Sequence, residues 1–156
     1  MSVKDTVRKQ LRKQIERAAS GPAIDLRAPS EGWIAAMRGA LGMSGAQLGK
    51  RMGLSRGRIS QAEKAESDGG VTLRTMSEMA EAMGARFVYA IVPDGGDVDD
   101  IIKAQALKKA TKLVGRVSTH MALEKQALDD EKNQEEIERI ATELIRKPPS
   151  DFWVDE

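Results

Sequence analysis

The segment Ser44-Gly-Ala-Gln-Leu-Gly-Lys-Arg-Met-Gly-Leu-Ser-Arg-Gly-Arg-Ile-Ser-Gln-Ala-Glu63 leaves this chain few ways to fold. It holds two helix starts with a glycine between them. Ser44 is placed to cap the first helix, and Gln47, three residues on, to reach back and complete a capping box. Leu48 and Met52 give that helix an apolar side. Gly53 falls where the backbone must turn sharply, and glycine takes positive φ at no steric cost. Ser55 is placed to cap the second helix. Ile59 and Ala62 face inward, and Arg56, Gly57, Ser60 and Gln61 outward. Gly49 is a small residue where the two helices cross. Two short helices across a tight turn form the helix-turn-helix pattern, whose second helix enters the DNA major groove.

The charge is unevenly distributed. Net charge is only +1, so no global field draws the chain to nucleic acid. Around the motif, however, Lys50, Arg51, Arg56, Arg58 and Lys64 stand against Glu63 alone. The N-terminal segment is also basic, with Lys4, Arg8, Lys9, Arg12, Lys13 and Arg17. From Asp129 onward the chain turns acidic. A basic centre beside an acidic end fits one part that faces DNA and one kept off it, or an ordinary solvated helix face. The absence of cysteine excludes disulfides and thiolate metal sites. No apolar run is long enough to span a bilayer, and the N-terminus does not read as a signal peptide. A cytoplasmic protein is expected, with no membrane association. His120 is the only histidine, and no Gly-rich phosphate loop, acid/base pair or metal cluster appears. The chain therefore reads as a non-enzyme without cofactor or metal. Aromatic residues make up 3%, so aliphatic side chains, alanine and methionine must build the core.

Taken in order, Ser2 to Ala19 reads as a helix with a narrow apolar stripe of Val7, Leu11 and Ile15 and basic flanks, either docked on the body or adding phosphate contacts. A Gly/Pro linker follows, in which residues 23–27 alternate as a short strand would. A helix is expected over Ser30 to Leu41, and another from the Thr72 cap to about Met83, lined inside by Leu73, Met76, Met79, Ala80 and Met83. Arg86-Phe-Val-Tyr-Ala-Ile-Val92 is the one convincing strand. Both of its faces are apolar, so burial is expected. A strand cannot satisfy its own backbone groups. Its partner is either the 23–27 segment or the same strand of a second copy, paired through Phe87, Tyr89 and Ile91 in a homodimer. Beyond Pro93, a long helix is expected from about Asp97 to Leu128, with Leu107, Ala110, Val114, Val117, Met121 and Leu128 inward. A second is expected from about Asn133 to Arg146. Phe152 and Trp153, in a polar tail, either anchor on a groove of a partner or pack back onto the chain.

From Glu31 to Met83 the spacing of the small residue at 49, Gly53, Leu54, Ser55, Ile59 and Glu63 resembles the Xre family of phage-repressor-like DNA-binding domains. The resemblance implies that Arg38, on the first helix, pairs with Glu63 at the end of the recognition helix. That pair would also shield phosphates from the carboxylate. The expected fold is mainly α: a five-helix phage-repressor-like helix-turn-helix domain with one short strand pairing and added N- and C-terminal helices. The expected domains are an N-terminal basic helix and linker (1–29), a DNA-binding domain with terminal strand (30–93) and a C-terminal helical region for dimer or partner binding (94–156). Arg56, Ser60 and Gln61 are expected to read bases, since arginine suits guanine and glutamine suits adenine. Ser44, Gln47, Lys50, Arg51, Ser55, Gly57, Arg58 and Lys64 are expected to hold phosphates through cations or backbone amides. Gly57 stands where the family usually has a reading side chain, and its lack of one lets the helix sit closer.

The whole layout resembles the bacterial family called mobile mystery protein A. The basic N-terminal helix, Gly32-Trp-Ile34, the Arg86-Phe-Val-Tyr-Ala-Ile-Val-Pro93 strand and His120-Met-Ala-Leu-Glu-Lys-Gln-Ala-Leu128 carry that likeness. It implies a partner with a Fic domain. The protein would then be a repressor of its own operon on double-stranded DNA and the antitoxin of a Fic-type toxin. The alternative is a phage- or plasmid-type repressor whose C-terminal helices only dimerise. Ser77-Glu-Met-Ala-Glu81 is near the inhibitory helix motif of Fic antitoxins, but Ala82 follows it where that motif has glycine or asparagine.

Overall fold

Local capping and glycine turns divide the chain into helices. A computed structural model describes residues 2–20, 26–123 and 130–155, the side chains of 118–123 excepted. Among these residues the helices are α1 (Val3–Ser20), α2 (Trp33–Ala40), α3 (Gly45–Met52), α4 (Arg56–Ser67), α5 (Leu73–Ala82), α6 (Val98–Leu123) and α7 (Asp130–Arg146). They form two compact units, one of Gly21–Ala90 and one of Met1–Ser20 with Ile91–Glu156.

In the first unit, Ile34 of α2, Leu48 of α3, Ile59 of α4, and Met76, Met79 and Met83 from α5 and its end make one buried cluster. Three unbranched methionines fill the irregular space that a core poor in aromatic rings leaves. Thr72 Oγ1 accepts from Thr75 N at 3.1 Å and starts α5, and Gly84, at φ 75°, takes the chain out of it. The first helix starts later than Ser30. Gly32, at φ 86°, breaks any helix before Trp33. The cap comes from Glu66 on α4, whose carboxylate accepts from Trp33 N at 2.6 Å and Ile34 N at 3.0 Å.

Two expectations are corrected here. Among its described residues the unit has four helices, not five, and residues 85–92 follow α5 without regular secondary structure. The short strand pairing is absent among the described residues. Phe87 packs on the core and stacks with Tyr89 at 5.6 Å. Val88, Tyr89 and Ile91 are 58%, 68% and 91% exposed, so the expected burial is absent. The cause is non-local: alternation implies a strand, but a ladder needs a second edge. Residues 26–27 offer none, and 23–25 lie outside the described residues.

In the second unit, Ser2 and Asp5 cap α1 reciprocally, with Asp5 N on Ser2 Oγ at 3.2 Å and Ser2 N on Asp5 Oδ2 at 3.1 Å. Val7 and Leu11 of its stripe are exposed, and Arg12 pairs with Asp99 of α6. α6 packs on α7 through Ala106, Ala110 and Ala141, with Phe152 inserted beside them. Alanines let the two axes approach closely, so the alanine row faces the partner helix. Leu107 and Val117, expected inside, are exposed for that reason, as are Ile101 and Leu113. Ala110 and Val114 are buried. The side chains of His120 and Met121, and all of Leu128, lie outside the described residues. α7 starts at Asp130, three residues before the expected Asn133. Phe152 packs back onto the chain's own alanines, and Trp153 meets it edge-on at 5.0 Å while staying exposed.

Candidate nucleic-acid interface

Helices α3 and α4 carry the interface, and three local devices set their crossing. Ser44 Oγ accepts from Gln47 N at 3.1 Å while Gln47 Oε1 accepts from Ser44 N at 2.8 Å, a complete capping box. Gly53 is left-handed, at φ 69° and ψ 28°, and turns the chain. Ser55 Oγ accepts from Arg58 N at 3.2 Å and starts α4. Gly49 lies under the turn, where Leu54 N donates to Gly49 O at 2.7 Å. A Cβ at Gly49 would stand 2.5 Å from the Leu54 carbonyl oxygen, so only glycine permits this approach.

Ile59 is 1% exposed and anchors the rear of α4 to the core. Helical phase then sets the rest. Gly57, Gln61 and Lys64 lie along the outward face, with Ser60 beside them. Arg56 and Ser60 border an open cleft of about 510 Å³ shared with Ser44, Gly45, Arg38 and Glu63. Arg58 flanks the other side by the same phase. Arg56, Gly57, Arg58, Ser60, Gln61 and Lys64 are all exposed, as are Ser44, Gln47, Lys50, Arg51 and Ser55. The first amides of α3 and α4 have no intrahelical acceptor, and both helix starts are exposed.

One carboxylate lies within this basic surface, and it is neutralised. Arg38 Nε and Nη2 donate to Glu63 Oε1 and Oε2 at 2.6 and 3.2 Å, and Nη1 donates to Met43 O at 3.0 Å. The hydrogen bond to Glu63 raises the Arg38 pKa above its ordinary value, against the opposing effect of partial burial. By contrast Lys50, Arg51, Arg56, Arg58 and Lys64 form no ion pair among the described residues. The arrangement can therefore meet an anion with five unpaired cations, its one carboxylate being held by Arg38. Among the described residues no group of three acidic or histidine side chains is placed to hold a metal ion, and no helix is long and apolar enough to cross a membrane.

Sequence reasoning missed Glu66, which holds the start of α2 from across the unit. A signal was present. The first helix has no Ser, Thr, Asp or Asn directly before Trp33, so its amides needed a donor-seeking carboxylate from elsewhere.

A capped helix, a left-handed glycine and a second capped helix with an exposed cationic face define a helix-turn-helix domain. The comparison with known families agrees: residues 34–89 match the family HTH_3, described as helix-turn-helix. Residues 34–89 thus form a helix-turn-helix domain of the Xre type, which supports a DNA-binding transcription regulator at that level. No curated protein and no solved structure matches it.

Proposed function

We propose that the protein is a sequence-specific repressor of its own operon that acts as a homodimer and as the antitoxin of a Fic-domain toxin. One observation carries the DNA reading. Glu63, the only carboxylate from Ser44 to Lys64, is neutralised by Arg38, while the five cations around it are exposed and unpaired. In this reading Arg56, Ser60 and Gln61 contact base edges. Lys50, Arg51, Arg58 and Lys64 hold phosphates together with the amides near Ser44, Gln47, Ser55 and Gly57. Gly57, on the outward face, allows close approach of the α4 backbone. Residues 30–93 form the DNA-reading domain, with 1–29 and 94–156 as its extensions.

The dimer would form by antiparallel pairing of Arg86–Val92 with the same segment of a second copy, through Phe87, Tyr89 and Ile91. The exposed apolar side chains of that segment support it. Two copies would read half-sites about 34 Å apart. The antitoxin role rests on the resemblance to the mobile mystery protein A family.

The test is fluorescence anisotropy on the DNA upstream of the gene, titrated with salt. Arg56→Ala should cost roughly 1–3 kcal/mol and relax one base position. Lys50→Ala should weaken all sequences alike and reduce the salt slope by about one. If the two variants behave alike, the readout assignment is wrong. Copurification with the Fic-domain partner tests the antitoxin role, and absence of a complex leaves a repressor whose C-terminal helices only dimerise.

A further inference from the structure

The unit built on α6 and α7 has a surface that DNA reading does not use. A groove of about 300 Å³ runs beside α6. Lys108, Lys109, Lys112 and Arg116 rim it, and Leu113 and Leu144 lend it an apolar floor. The chain's own tail forms part of the groove's lining through Pro149, Asp151, Val154 and Asp155. Gln105 Nε2 donates to Phe152 O at 2.7 Å, Lys108 Nζ meets Asp155 Oδ2 at 2.7 Å, and Lys109 Nζ meets Asp151 Oδ2 at 3.4 Å. Phe152 between those carboxylates is 3% exposed. The hydrogen bonds from Lys108 and then Gln105 hold the Asp155 carboxyl below its usual pKa. The tail thus shows that carboxylates pair with the ammonium groups along this face of α6, while Phe152 itself packs among Ala106, Ala110 and Ala141.

Farther along the same face of α6, two lining cations have no tail carboxylate among the described residues. Lys112 and Arg116 are exposed and form no ion pair among the described residues. Lys108, Lys112 and Arg116 follow one another at four-residue steps, roughly 6 Å apart along the axis. Alternate side chains of an extended peptide repeat at roughly 6.6 Å, so carboxylates at every second residue match that rim. A phosphate backbone would satisfy the cations but would leave Leu113 and Leu144 against a polar ligand.

The geometry points to a docking groove for an extended acidic segment of a partner protein, in which carboxylates alternate with apolar residues and engage Lys112 and Arg116. The inference concerns this helical unit alone and does not depend on the DNA-reading assignments.

The test uses the full chain and a fluorescein-labelled peptide, Leu-Asp-Phe-Asp-Leu-Glu, in anisotropy. Oligoglutamate of the same length and a labelled DNA duplex of unrelated sequence serve as comparison probes. The wild-type protein should bind the peptide saturably and more tightly than oligoglutamate. Lys112→Glu with Arg116→Glu should weaken peptide binding by roughly tenfold or more, through lost attraction and added repulsion. Lys103→Glu with Lys147→Glu, an equal charge change away from the groove, should not. Circular dichroism verifies that both double variants fold. Absence of saturable binding, equal loss in the two double variants, or oligoglutamate binding as tightly as the peptide would overturn the proposal. A selective loss of duplex binding in Lys112→Glu with Arg116→Glu, with peptide binding intact, would also overturn it and mark the surface as a nucleic-acid face.

Discussion

Replacing Arg38 by methionine tests the most constrained polar contact in the DNA-binding unit. The Arg38 and Glu63 side chains are 23% and 18% exposed, so the pair is mostly but not wholly withdrawn from water. The variant keeps the side chain's bulk but leaves Glu63 without its two donors and Met43 O without one. Stranding one partner of a fully buried pair costs about 3–5 kcal/mol, and the remaining solvent access brings the expectation here to about 2 kcal/mol. With a typical urea dependence for a small domain, the unfolding midpoint should fall by about 1 M. A Trp153→Phe background leaves Trp33 as the only tryptophan, so its fluorescence reports the Gly21–Ala90 unit. The double variant Arg38→Met with Glu63→Met should recover most of the loss, because a well-packed apolar pair replaces both charges. DNA affinity should fall in the single variant, where the bare carboxylate stands among the exposed cations proposed to hold phosphates, and recover partly when Glu63→Gln is added. A single variant within about 0.5 kcal/mol of wild type, or a double variant no more stable than the single, would refute the reasoning.

Four further perturbations follow from geometry. Gly49→Ala should cost about 1–3 kcal/mol, because the new methyl meets the Leu54 carbonyl at 2.5 Å and backbone must move. Gly57→Ala, whose methyl would meet nothing nearer than Ser55 Oγ at 3.9 Å, should be neutral or stabilising by roughly 0.5 kcal/mol in the same urea assay. Glu66→Ala should lower that midpoint by an amount corresponding to about 1–2 kcal/mol, because the Trp33 and Ile34 amides lose a charged acceptor. Ile91→Asp, at a side chain 91% exposed in one chain, should leave circular dichroism unchanged and shift sedimentation from dimer to monomer. Persistence of a dimer would remove the strand-pairing interface.

The parts of the fold that sequence reasoning reached are those set by residues close in the chain. Ser44 with Gln47, Ser55, and Thr72 with Thr75 cap within three residues, and Gly53 and Gly84 turn at single positions. What it missed depends on contacts distant in sequence. The carboxylate that starts α2 is 33 residues from Trp33. The inward face of α6 was misread because Leu107 and Val117 outweigh Ala106 on any hydrophobicity scale, yet closeness to α7 selects the alanines. Alternation in Arg86–Val92 implies a strand, but no local pattern can supply the second edge of a ladder, and the segment forms none among the described residues. Arg38 and Glu63 came from a family pattern rather than from composition, and the structure has them 2.6 Å apart. The exposure of Arg56, Ser60 and Gln61 follows from helical phase alone once Ile59 is inside.

The two glutamates at the rear of α4 sit one turn apart and grip α2 at opposite ends, Glu63 through Arg38 and Glu66 through the Trp33 and Ile34 amides. Spinning or sliding α4 about its axis would break both attachments together. The helix thus behaves as a keyed shaft: under the proposed base readout, adjustment to an imperfect binding sequence would come from flexible tips such as the Arg56 and Gln61 side chains. Under the proposed function, a duplex whose groove width differs from the preferred one would be rejected rather than accommodated.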